Sequence, residues 1–251
     1  MIDATFQLLR RNAAAFFTMS AMLTIPNTIL QWIFLRPMLR QPQTFTSGGA
    51  GLGGFWISFL GTLLLSAIFH TAMMTAASDS YLGKPVAVAD DLTRALPKVI
   101  TIFFAYIVTS FCVGFAVLGF IVGSIYVALM LFAVPTVIIF ENAGITSAMS
   151  RSANLSKGLK GHIFLTYFLA GAVGAVGYII VTLIASMLAS ISTSVQLIVQ
   201  ALGYTIIVPI FPITAVLMYY DARIRKEGFD IQLMAQAVDS SAAAATKPQP
   251  A

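Results

Sequence analysis

Charge is scarce in this chain: Asp, Glu, Lys and Arg together make up 9% of it, against roughly a quarter in soluble domains. That excludes an ordinary soluble globule. Cysteine occurs once, as Cys112 within an apolar run, so no intrachain disulfide forms and the residue reads as a small buried hydrophobe. Histidine occurs twice, at His70 and His162, and nothing suggests that several ligands converge, so neither a metal nor a cofactor is expected. The HExxH, GxSxG and P-loop signatures are missing, and no paired acids stand near a histidine, so the chain is not expected to be an enzyme.

What is present is apolar length. Between Arg40 and Asp79, Lys98 and Glu141, and Lys160 and Asp221 the chain runs 38, 42 and 60 residues without an ionised side chain. A soluble core helix seldom needs more than about 14 uninterrupted apolar residues, whereas crossing ~30 Å of hydrocarbon takes about 20. With 59% hydrophobic residues and a mean hydropathy of +0.91, the sequence is that of an integral membrane protein. Its 251 residues accommodate one bundle with little room for a separate soluble catalytic domain.

Spans are read at about 12–36, 53–78, 98–118, 120–140, 162–188 and 197–220. The 42-residue run fits the bilayer better as two helices joined near Gly119 to Gly123 than as one long helix. The expected fold class is thus an all-α membrane protein, a six-transmembrane-helix bundle over residues 1–234, with a disordered low-complexity tail over 235–251. Arg10 and Arg11 ahead of an apolar stretch resemble a secretory signal, but Arg36-Pro37 follows instead of a small-x-small cleavage site. The first span is therefore expected to be retained.

With six spans, twelve of the fourteen basic residues fall on one side, and only Arg36 and Arg40 fall on the other. The positive-inside rule then puts both termini in the cytoplasm. The net charge of +5 fits contact with anionic lipid head groups beside apolar spans, not nucleic acid. Outside, the loop from Pro37 to Leu52 is polar and glycine-rich, and the other two connections are short.

A unit recurs three times. Each span pair is preceded by an amphipathic segment carrying a basic residue: Ile2, Phe6, Leu9 and Ala13 around Arg10 and Arg11; Val88, Leu92, Ala95 and Val99 around Arg94; Ile145, Ala148, Met149, Ser152 and Leu155 around Arg151. These are expected to lie along the membrane surface as interfacial helices. Each pair closes on an acid followed by glycine: Asp79 before Gly83, Glu141 before Gly144, Asp221 before Gly228. Such repeats occur in transporters and in inert scaffolds alike.

Two sets of residues are candidates for function. Asp79, Glu141 and Asp221, with Arg94, Arg151 and Arg223, form a candidate charge belt at the cytoplasmic interface: a head-group or ion site, or structural pairs that stop the helices sliding. Within the membrane, His70 is the one clear titratable group besides Cys112, and it is expected to be neutral and bonded to a neighbouring Ser or Thr. Pro135, Pro209 and Pro212, with Pro26, interrupt spans four, six and one, and the sixth is the best candidate for a broken helix. Gly171, Gly174 and Gly177, and Gly119 with Gly123, offer small faces for helix contact.

The stretches PTVIIFENAGITSAMSRSANLSKGLKGHIF, Pro135 to Phe164, and PITAVLMYYDARIRKEGFD, Pro212 to Asp230, resemble the glycerophosphoryl diester phosphodiesterase membrane-domain-like family of uncharacterised bacterial six-span proteins. The residues that carry the resemblance are Pro135, Glu141, Gly144, Ala148, Arg151, Ser152, Leu155 and Gly158, and then Tyr219, Tyr220, Asp221, Arg223, Glu227 and Gly228. It implies a stand-alone membrane domain of a bacterial inner membrane, without the catalytic barrel that the family name evokes. The expected function is a non-enzymatic scaffold or regulator contacting anionic lipid or a protein partner. The alternative is a small transporter or lipid-handling protein, and a polar cavity at the bilayer midplane would distinguish it. Substrate, partner and oligomeric state are not legible.

Overall fold

The computed structural model describes residues 1–35, 49–119, 121–188 and 192–228. Arg36, Arg40, most of the first outer loop and the tail from 235 lie outside them. Among the described residues every regular element is helical. In hydrocarbon a chain with no water to bond must satisfy its backbone internally, and uncharged runs of this length do so as helices.

The first unit is α1 (Ile2–Arg11), α2 (Ala13–Leu30) and α3 (Gly49–Tyr81). The second is α4 (Val88–Ala95), α5 (Val99–Gly119), α6 (Ile121–Met130) and α7 (Val134–Glu141). The third is α8 (Ile145–Ser156), α9 (Lys160–Leu188), α10 (Thr193–Ile207) and α11 (Ile210–Glu227). Six stretches are long and apolar enough to cross a membrane: Ala13–Phe34, Gly53–Tyr81, Val88–Val117, Val122–Glu141, Lys160–Leu188 and Ser194–Glu227. The protein is a multi-pass integral membrane protein. Its outer surface agrees, because Ile100, Phe115, Val122 and Met187 are each about 70% exposed or more, and apolar exposure on that scale is stable against lipid rather than water.

The third stretch begins ten residues earlier than expected because a short 3-10 turn, Leu96–Lys98, joins α4 to α5 without a break. The Lys98 ammonium donates to the Ile139 carbonyl near the end of α7 and pins that joint. The unit ends follow left-handed backbone: Gly83 (φ 73°) after α3, Asn142 (φ 52°) after α7 and Gly228 (φ 59°) after α11. The expected glycine of the second unit, Gly144, is not the one in that conformation. Asn142 takes it, as asparagine tolerates better than most residues.

The amphipathic helices do not simply lie on the membrane. Each buries one side against the bundle: α1 through Thr5 and Leu9, α4 through Asp91 and Ala95, α8 through Ala148, Ser152, Leu155 and Ser156. In α1 the buried side is rotated from the expected one, for Phe6 is 42% exposed while Thr5 bonds Thr214 of α11 at 3.3 Å. Helix α11 is the hub, packed by α1, α3, α7, α8 and α9, and buried from Pro212 to Tyr220. Its many neighbours replace lipid, so it tolerates more polar residues than the lipid-facing α5 and α9.

Candidate functional site

At the charged end the expected belt resolves into three clusters. Arg94 Nη2 lies 2.7 Å from Asp79 and 2.9 Å from Asp91, a buried carboxylate that the sequence reading passed over. Arg151 lies 3.0 Å from Glu141 and also pairs with Glu227, and these two carboxylates, Glu227 above all, hold its guanidinium pKa well above the ordinary value. Asp221 meets Arg225 at 2.8 Å and His162 at 3.2 Å. Arg223 turns from Asp221 to Glu227 at 3.1 Å, since residues two apart on a helix face different ways and residues four apart align.

In the first two units the pattern is the same: the acid that ends one unit pairs with the arginine of the next amphipathic helix. The tyrosine pair on α11 ties these ends to the hub. Tyr219 donates to Glu141 at 2.9 Å, and the Tyr220 hydroxyl shares a 2.6 Å hydrogen bond with Ser78 while its ring stacks on Tyr81. Side chains that hold one another in this way do the work of staples.

The prolines break two of the three spans expected, the fourth and the sixth, with different outcomes, while Pro26 lies inside a continuous helix. In the fourth span α6 stops at Met130 and α7 restarts at Val134, with Pro135 in its first turn. The break is filled from outside. Ser152 of α8 donates to the Met130 carbonyl at 2.8 Å and accepts the Ala133 amide at 3.0 Å, and it is fully buried. In the sixth span the interruption falls at Val208 and Pro209. Pro209 and Pro212 have no amide hydrogen to return to the Thr205 and Val208 carbonyls, and the Phe211 amide reaches Val208 at a long 3.4 Å. Glycines on α9 admit this junction: a Cβ on Gly174 would stand 2.7 Å from Phe211, and one on Gly177 3.0 Å from Ile207. Gly171, expected on the same face, meets nothing.

Beside that junction lies a cavity of about 760 Å³. Helices α2, α3, α11, α9 and α10 pack in sequence around it. Phe211 and Leu23 line its inner part, while Gln31, Trp32 and Gln196 line the part toward the end opposite the ion clusters. Ser66 and His70 face it from α3, and His70 stands eleven residues before Tyr81, about 16 Å along the helix and hence near mid-bilayer. His70 does not make the expected bond to a neighbouring Ser or Thr. It borders the cavity with no side-chain partner among the described residues.

No protein-family model, no curated protein and no solved structure matches this chain. The site is therefore read from its own residues.

Two polar stripes run along walls that are otherwise mostly apolar. One runs through Thr24, Asn27 and Thr28 of α2 to Gln31 just past its end, and the other through Gln196, Gln200 and Tyr204 of α10. Some groups are already committed: Thr24 bonds Thr205 at 2.6 Å, Thr62 donates to the Asn27 side-chain oxygen Oδ1 at 2.7 Å, and Tyr204 stacks on Tyr178 at 5.1 Å. Others have no such partner among the described residues, notably Gln31, Gln200, Ser66 and the Asn27 amide nitrogen. Sequence reasoning had found His70, Pro209 and Pro212 but missed the stripes, although their spacings of three and four residues place each on one helix face. Pro26, expected as a kink, precedes a widened π turn at Gln31–Leu35 that carries Gln31 and Trp32 to the cavity.

Proposed function

We propose that this protein binds a small molecule at bilayer depth, as a transporter or lipid-handling protein, and that the charged clusters serve its architecture. The observation that carries this is the mostly apolar cavity with two polar stripes beside a proline-broken span, the combination in which membrane carriers place their substrates. The scaffold reading draws on the six belt charges, and every one of them has an opposite charge of the same chain within reach. We place the protein in a bacterial inner membrane with both termini cytoplasmic, on the strength of the basic-residue asymmetry, and its cavity then extends toward the outer side. Kinship with the glycerophosphoryl diester phosphodiesterase membrane-domain-like family belongs to the same proposal. The residues that carry it build the charged end and point to no activity.

Native mass spectrometry of protein extracted in lipid-preserving particles tests the reading. A small-molecule mass should be retained by the wild-type chain and lost from Ser66→Phe and Ala175→Phe, which fill the cavity from opposite walls. A stoichiometric protein partner, with no small molecule sensitive to these substitutions, would return the assignment to a scaffold.

A further inference from the structure

We infer that the cavity takes an uncharged amphiphile, a molecule with a non-ionic, hydrogen-bonding head and an apolar tail. This rests on the cavity reading above and adds the class of ligand. Among the described residues no Asp, Glu, Lys or Arg borders the cavity, and the ion clusters described above sit at the other end of the bundle. An ionised head carried in would shed its hydration with no countercharge to meet it. Neutral donors and acceptors, by contrast, are abundant. Gln31, Gln200, Ser66 and His70 make no side-chain hydrogen bond among the described residues, and the Asn27 amide nitrogen has none. Amide and imidazole groups supply both donors and acceptors, which suits hydroxyl, amide or carbonyl heads.

The remaining wall is apolar. Leu23, Leu197, Ile207 and Phe211 line the cavity beside these polar groups, and Trp32 and Ile179 do so while about half exposed on the membrane-facing surface. A tail can therefore follow an apolar path from the polar pocket to the lipid. A volume of about 760 Å³ lies within the range of sites for one drug-sized molecule.

Trp32 supplies the reporter. The only other tryptophan, Trp56, faces outward and does not border the cavity, so Trp56→Phe leaves one indole at the site. The full chain carrying Trp56→Phe, in phosphatidylcholine nanodiscs, is titrated with decyl glucoside, decyl phosphate and methyl glucoside. Decyl glucoside should shift Trp32 emission saturably. Decyl phosphate should bind at least about tenfold more weakly, and methyl glucoside should not saturate. His70→Leu and Gln200→Leu should each weaken decyl glucoside by about three- to tenfold, the loss of one hydrogen bond. Phosphate binding as tightly as glucoside would overturn the neutral head, and methyl glucoside matching decyl glucoside would overturn the tail. If no probe saturates but the extracted protein still retains a cavity-dependent mass, the ligand class is wrong and the site stands. If neither appears, the cavity holds only water and the function proposed above falls with the inference.

Discussion

Ser152→Ala isolates one hydroxyl that holds two spans in register. In the wild-type chain it closes the gap between α6 and α7 by donating to Met130 and accepting from Ala133. Removing it leaves the fully buried Ala133 amide and the partly buried Met130 carbonyl without that partner. The gap cannot heal by extending α6, because Pro135 has no amide hydrogen for the Leu131 carbonyl. Each stranded buried group costs about 1–3 kcal/mol. Allowing one of the two to relax partly toward its own helix, the loss should be about 3 kcal/mol, roughly a hundredfold in the folding equilibrium. The measurement is unfolding in mixed micelles by increasing SDS fraction, followed by helical circular dichroism. Ser156→Ala is the control: that hydroxyl is also buried, but it bonds the Ala153 carbonyl of its own helix at 2.9 Å and closes no gap. Equal losses for the two variants, both within about 0.5 kcal/mol of wild type, would show that the gap is not held by Ser152.

Other positions give sharper contrasts than absolute values. Gly203→Ala should lose about 1–3 kcal/mol in the same unfolding assay, since its Cβ would lie 2.4 Å from the branched and rotamer-restricted Val181, and Val181→Ala should restore most of the loss. Gly171→Ala, where a Cβ meets nothing, should be neutral or stabilising by up to about 1 kcal/mol; a loss as large as that of Gly203→Ala would refute the packing assignment. Tyr219→Phe removes the hydroxyl that donates to Glu141 and should cost about 1 kcal/mol, with little further loss in a Glu141→Ala background, which has no acceptor there, if that bond is the cause. Neutralising Asp79, Glu141 and Asp221 together should lower stability while leaving the co-purified lipid unchanged by mass spectrometry. Loss of one lipid species without loss of stability would restore a head-group role to the charges.

The spans, the threefold unit and the broken sixth helix were legible because long uncharged runs and proline act through the backbone, whatever the neighbours. The arginine pairings were half legible. Helical spacing alone separates Arg223 from Asp221 and aligns it with Glu227, whereas the bridge from Arg151 to Glu227 needs the third dimension. The cavity was the hardest to see. A threonine in a span reads the same whether it bonds its own helix or faces a void: Thr18 and Thr109 donate to carbonyls four residues back at 2.7 and 2.8 Å, while Thr24 crosses to α10. Glutamine cannot hide so easily, and Gln31, Gln196 and Gln200 were the available signal.

The second and third units use the same device to different ends. Each has a proline-broken second span, and each break frees backbone groups that lipid cannot satisfy. The break in the second unit is met at once by Ser152 from the amphipathic helix that opens the third, so it becomes a rigid joint buried among α5, α7, α8 and α11. Among the described residues no side chain closes the break in the third unit in that way; Phe211 leans into the Gly174 notch and the cavity opens beside it. The unit with an unbroken second span, the first, contributes the fixed wall that holds Ser66 and His70. The three hairpin units thus form a wall, a locked joint and an unlocked one. Movement that admits a ligand should concentrate at the unlocked joint. Hydrogen exchange should then be faster for the amides from Val208 to Phe211 than for those from Leu131 to Val134, and the reverse order would contradict this division.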